Sequence, residues 1–310
     1  MSLLAIKFCH IGGIYFSHTL LMFINAVQQF SETRCSIMET SWKASDQKIM
    51  GDALKIVNEG AKLKVNLRLL GALAIRIHCE EFSELHRKLK RLGSEDRVFT
   101  DIDLIGYSKE RNKVRMLMED VFGFRYSDQF MLMHGKERLL YFHPEGLYHV
   151  DIFFDKLKFS HDIYFGSSQD KGRLSLDFPT ISLADLLLEK LQIHEINEKD
   201  IKDIIVLLRA HDISVEDQKE AINAKYIAKV LADDWGFWYD AKMNLDKVRF
   251  YMGKYLEDGI LSKMDFEDVC GKLEKLINFI DGEPKTKNWK KREKIGTNKK
   301  WWRPVEEIMR

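Results

Sequence analysis

The segment Val98-Phe99-Thr100-Asp101-Ile102-Asp103-Leu104-Ile105-Gly106 puts two carboxylates into a run that otherwise has the composition of a buried strand. Side chains alternate across a strand with a period of two, so Asp101 and Asp103 share one face. Like charges side by side on one face repel and lose solvation. A hard divalent cation between them removes both costs, and Mg²⁺ typically takes one or two carboxylates together with substrate phosphates. Either each acid is satisfied locally by a turn or a nearby Lys or Arg, or the fold must bring a further ligand and a place for phosphates to this strand.

The 310 residues, 45% hydrophobic and 31% charged, suffice for one large globular domain or two smaller ones. The net charge of +1 singles out no partner. Cys9, Cys35, Cys79 and Cys270 are scattered without CxxC spacing. That argues against a disulfide framework or zinc cluster and for a reducing, cytoplasmic setting. His78, Cys79 and His86 lie near one another in the chain but match no zinc spacing.

Met1 to Phe30 is rich in apolar residues but is interrupted by Lys7, His10, His18 and Asn25. It has no basic n-region and no clear small-residue cleavage site. A packed extension, a weak membrane anchor and a start codon assigned too early, with Met38 or Met50 as the true start, all accommodate it. An extension over 1–42 is preferred to an anchor, and no membrane contact is expected.

Periodicity then predicts a helix from Ser45 to Lys64 and a short strand from Val65 to Leu70. Helical stretches follow over Leu73–Cys79 and Glu80–Leu92, the latter broken by Gly93-Ser94-Glu95-Asp96. After the Asp101/Asp103 strand comes a helix over Lys109–Phe122. Strands Arg138–His143 and Tyr148–Phe154, joined by Pro144-Glu145-Gly146-Leu147, read as an antiparallel hairpin. Leu174–Phe178 is a candidate strand. Ser182–Leu191 and Glu198–Ala210 are capped helices, and Ser214–Ile280 reads as helical without strands. The expected organisation is an extension (1–42), an α/β core with a mixed sheet flanked by helices (43–213), a helical C-terminal region (214–282) and a basic tail (283–310).

From Glu283 to Arg303 the tail has nine Lys or Arg against two Glu, interleaved with Trp289, Trp301 and Trp302. This is either a solvated terminus, a segment packed back on the domain, or an RNA or DNA contact with cations on phosphate and aromatics on bases.

Asp151 is the candidate third carboxylate. It sits mid-strand between His149-Val150 and Ile152-Phe153-Phe154. Its burial is expensive unless it is paired or metal-bound. The order strand, helix, strand, strand lets the Asp151 strand lie beside the Asp101/Asp103 strand. Asp155 is a backup at the same face. Gly71, at a strand end opening a helix, lets phosphate oxygens approach backbone N–H groups.

Leu70-Gly71-Ala72, then Asp101-Ile102-Asp103, then Asp151 on a later strand, resembles the DNA polymerase beta-like nucleotidyltransferase superfamily. More narrowly, the chain is similar to the AbiEii-type nucleotidyltransferases of prokaryotic toxin–antitoxin systems. The similarity lies in Arg97-Val98-Phe99-Thr100 before Asp101, in Lys190 on Leu187–Gln192, and in Lys199-Asp200-Ile201-Lys202-Asp203. It covers about Val65 to Ala210. It implies a nucleotidyltransferase fold and transfer of NMP from NTP to a protein, RNA or small-molecule acceptor. Asp101, Asp103 and Asp151 would hold two Mg²⁺ ions, and Lys190 would contact phosphates. Gly71, Ala72, Arg97, Thr100, Asp200 and Asp203 would complete the nucleotide site. It also implies an antitoxin partner. Ala72 stands where the superfamily has Gly or Ser, which leaves open an alternative: a nucleotide-binding or interaction protein of the same fold with little or no turnover. The basic tail suggests a further reading, nucleotide addition to RNA ends.

Overall fold

The computed structural model describes residues 45–94, 98–126, 128, 135 and 137–305. The extension over 1–42 and Arg97 lie outside the described residues. Ala44–Arg310 form one compact unit. The chain is mixed α/β, with a mixed sheet flanked by helices and a helical C-terminal region.

Ser45 caps helix α1 (Asp46–Lys62) by accepting the Lys48 N–H. The predicted strand after it is shorter than expected. Lys64 turns into the left-handed region and the Val65 N–H donates to the Gly60 carbonyl, so the helix-ending turn consumes the residues before β1 (Arg68–Leu70). Helix α2 (Gly71–His78) follows without a gap. The predicted helix over Glu80–Leu92 resolves into a 3₁₀ turn, Glu80–Phe82, and a short α3 (Ser83–Lys88), because Lys90 at φ 51° ends it early. Beyond β2 (Ile102–Gly106), the predicted Lys109–Phe122 helix is a 3₁₀ turn, α4 (Arg111–Met116) and a π turn over Leu117–Val121.

Strands β3 (Arg125–Tyr126), β4 (Arg138–Phe142) and β5 (His149–Phe154) complete the main sheet in the order β1-β2-β5-β4-β3. β4 and β5 form the expected antiparallel hairpin. β2 and β5 pair in parallel, which requires a long crossover, and residues 107–148 supply it. This pairing puts Asp103 directly opposite Asp151. A ribbon of β6 (Lys156–Lys158) and β7 (Asp162–Tyr164), too short for periodicity to reveal, extends β5. Leu174–Phe178 forms no strand. That segment turns so that Leu69 can exchange backbone hydrogen bonds with Pro179 and Ile181, closing the far edge of β1.

Helices α5 (Leu183–Leu191) and α6 (Glu198–Ala210) form the buried centre of the Ala44–Arg310 unit, capped by Ser182 and Asn197 as the sequence predicts. Every residue of α5 is buried, and so is Asp200–Leu208 of α6. Burying the five leucines of α5 contributes about 1.5–3 kcal/mol each. That gain offsets the cost of burying Asp185, Glu189 and Lys190 on the same helix. The Ser214–Ile280 region departs from expectation at its start. There β8 (Asp212–Ser214) and β9 (Ala221–Asn223) form a two-stranded parallel ribbon. Helices α7 (Ala224–Asp233), α8 (Trp235–Glu257), α9 (Lys263–Gly282) and α10 (Lys287–Glu293) then pack around α5 and α6 and on one another.

Candidate active site

The C-terminal part of α5, the start of α6, strands β2, β4 and β5 and the C-terminal segment enclose a cavity of about 540 Å³. Asp101, Asp103 and Asp151 all line it, with Thr100, Ala72, Lys190 and Asp200. The strand period puts Asp101 and Asp103 on this face, and the parallel register brings Asp151 alongside.

The floor is electrostatically strained. Burial first, and then the Asp101, Asp151 and Glu189 carboxylates, raise the pKa of Asp103 well above the usual carboxylate range; Lys190 opposes them. Burial pushes Asp151 up to about 7, against the pull of Arg138. Arg138 donates to Asp151 Oδ2 at 3.1 Å, while Asp151 Oδ1 is buried with no hydrogen-bond partner. Asp101 is more open, its side chain 39% exposed. It accepts from the Thr100 hydroxyl at 3.1 Å and lies 3.6 Å from His149 Nε2. A buried orphaned carboxylate oxygen beside two further carboxylates is a donor set that suits a hard cation. Their oxygens do not converge on a single point: among the described residues only His78, His211 and Glu220 bring three ligand atoms within 4.8 Å of one another.

Gly71 is required by geometry. Its φ is +70°, and a Cβ there would lie 3.0 Å from Asp103 Oδ2. Its N–H donates to Glu189 at 3.0 Å rather than facing the cavity. Gly71→Ala is therefore expected to destabilise the fold by about 1–3 kcal/mol, through backbone strain and displacement of Asp103. Denaturant titration checks this, and an unshifted midpoint contradicts it.

Lys190 lies within a ring of acids: Asp200 at 3.0 Å, Asp203 at 3.1 Å and Glu189 at 3.8 Å. Burial opposes its charge, but these three carboxylates prevail and raise its pKa. Asp203 faces inward rather than into the cavity. It pairs with Arg91 at 2.8 Å and His86 at 3.0 Å as well as with Lys190. Asp155, the backup carboxylate, is elsewhere. Its φ of 60° turns it from the strand, it accepts the Ser108 N–H at 2.9 Å, and it lines a neighbouring groove.

Sequence reading missed Arg138, His149, Glu189 and Arg91 and gave Lys199, quoted within the 199–203 motif, no role; all five line the cavity. His149 was visible in principle, two residues before Asp151 on the same strand face. Glu189 was visible as an acid within an apolar helix. Lys199 lines the cavity without an ion-pair partner among the described residues, in contrast to Lys190.

The C-terminal segment walls the cavity with Trp302, Pro304 and Val305. Trp302 stacks on His194 with ring centroids 4.1 Å apart, the Trp301 indole donates to Asp240 at 3.0 Å, and Trp289 is buried. The three tail tryptophans thus pack on the protein, while Lys290, Lys291, Lys294, Lys299 and Lys300 are exposed.

A search of protein-family models finds no match to this chain, and a search of curated proteins finds none either. Among the described residues, no helix is long and apolar enough to cross a membrane.

Proposed function

We propose that the chain is a Mg²⁺-dependent nucleotidyltransferase of the DNA polymerase beta-like type, moving NMP from NTP to an acceptor hydroxyl and releasing pyrophosphate. The observation that carries this reading is the register pairing of Asp103 with Asp151, with Asp101 on the same face, all three lining one cavity, and with the buried Asp151 Oδ1 lacking a hydrogen-bond partner. Asp101, Asp103 and Asp151 would hold the ions. Bound there, Mg²⁺ would supply charge neutralisation along the triphosphate and on the leaving oxygen.

The chain's own groups do the rest. Asp151, at the cavity beside Asp101 and Asp103, is the carboxylate placed to accept the proton of the attacking hydroxyl. Arg138 orients that carboxylate through Oδ2. Lys199, rather than the acid-ringed Lys190, is the cation placed to reach phosphate oxygens. Lys190 instead fixes Asp200 at the cavity wall. The exposed tail lysines, of which Lys300 lies over the ring of the cavity-lining Trp302, suit an RNA acceptor, in keeping with a cytoplasmic enzyme.

Because Mg²⁺ is held by ionised carboxylates, the affinity of the metal-free chain for Mg²⁺ is expected to rise with pH through about 7 and then level off. A profile that is flat or falling from pH 5.5 to 8.5 contradicts the assignment. The transfer itself is tested with α-labelled NTPs, Mg²⁺ and a lysate as acceptor source. Label should appear with wild type and vanish with Asp103→Ala; equal labelling by both removes the enzyme reading.

A second reading, nucleotide binding without turnover, is favoured by one observation. The Gly71 N–H is committed to Glu189 and Ala72 has no hydroxyl, so this turn offers fewer phosphate donors than the superfamily pattern implies. Nucleotide binding without label transfer to any acceptor would select it.

A further inference from the structure

Away from the aspartate cavity, three side chains from separate parts of the chain meet where α2 ends. His78 is the last residue of α2, His211 follows α6 and Glu220 precedes β9. Sequence proximity groups His78 with Cys79 and His86, but the fold groups it with His211 and Glu220, while His86 turns to Asp203.

Both Glu220 carboxylate oxygens lie 3.1 Å from His78 Nδ1, and one lies 3.6 Å from His211 Nδ1. Ligands held about 2.0–2.1 Å from Zn²⁺ at tetrahedral angles are about 3.3–3.4 Å apart, so both edges fit around one ion. The outer nitrogens are held from behind. His78 Nε2 is 2.6 Å from Thr180 Oγ1 and 3.6 Å from Asp177, and His211 Nε2 is 3.7 Å from Cys79 Sγ. Metal-ligating imidazoles are commonly fixed through the far nitrogen in this way. His211 Nδ1–H donates to the Glu220 carbonyl at 3.2 Å, and zinc binding at that nitrogen displaces this proton.

Glu220 has φ 58°, a left-handed conformation that is strained for a non-glycine residue. From this position its carboxylate meets both rings. The two imidazoles are 4% and 5% exposed and Glu220 is 47% exposed, so an ion can enter from the glutamate side and keep a position for water. The helix C-terminus adds favourable negative potential there.

The geometry points to a His78–His211–Glu220 zinc site that ties the end of α2 to the β8–β9 ribbon. It does not depend on the nucleotidyltransferase reading. The other end of α2, at Gly71, abuts Asp103, so the tie also anchors the helix that begins beneath the cavity.

The test is titration of the chelator-treated full chain with ZnCl₂ by calorimetry at pH 7.5, with the zinc retained after gel filtration counted. One zinc per chain is expected for wild type and for Asp103→Asn. Affinity should fall at least tenfold in Glu220→Gln and in His211→Ala. Glu220→Gly, which suits the positive φ, should fold as well as wild type by circular dichroism and still lose zinc, a result that a purely structural Glu220 does not give. The site is overturned if wild type retains no zinc, if Glu220→Gln binds as tightly as wild type, or if Asp103→Asn abolishes zinc binding.

Discussion

Asp103→Asn is expected to reduce nucleotidyl transfer by at least about 1,000-fold while raising the melting temperature above pH 7. Both effects have one cause. Asp103 lies among Asp101, Asp151 and Glu189, and burial together with these charges raises its pKa well above that of an unfolded aspartate. A carboxyl with a raised folded-state pKa binds its proton more tightly when folded. Stability is therefore lost as pH rises from the unfolded value of about 3.9 through the folded value. Asparagine removes that loss. The gain in melting temperature should be present at pH 8 and absent near pH 3.5, where both states of the wild type are protonated. For Asp151, with its pKa pushed to about 7, the same linkage amounts to about 4 kcal/mol. Thermal scans at the two pH values check this. An Asp103→Asn protein less stable than wild type at pH 8 would show that the acids are compensated within the protein and are not held apart for a ligand.

Asp203→Ala should be the most destabilising single change among the candidate site residues, at about 3–5 kcal/mol. Its carboxylate joins Lys190, Arg91 and His86 inside the protein and is fully buried. Removing one partner of a buried charge network leaves the others desolvated and uncompensated. Lys190 keeps Asp200, but Arg91 loses its only carboxylate among the described ion pairs. Denaturant titration should show the full loss, with Asp200→Ala losing less because Asp200 lies at the cavity wall. A loss under about 1 kcal/mol contradicts the role of Asp203 as the centre of that network.

The Asp203 case also shows what the sequence conveyed and what it did not. Asp101, Asp103 and Asp151 were legible because strand alternation is a local rule and a charged residue in an apolar run is locally anomalous. The caps Ser182 and Asn197 were legible for the same reason. Partnerships across the fold were not. Asp203 belongs to His86 and Arg91, more than 110 residues away in the chain, and neither has a periodic signature. The role of Glu189 depends on Gly71, again more than 110 residues away. The β6–β7 and β8–β9 ribbons escaped because three-residue strands show too little alternation to separate from loop. The segment 174–178 looked like a strand from its composition, but the edge of β1 bonds instead to the residues just beyond it.

The three-aspartate cavity is proposed to bind a Mg²⁺–nucleotide complex. Calorimetric titration of the purified chain with a non-hydrolysable NTP analogue, with and without Mg²⁺, tests it most directly. Binding that requires Mg²⁺ and is lost in Asp103→Asn is expected. No binding in the presence of Mg²⁺, or equal binding without the ion, would contradict it.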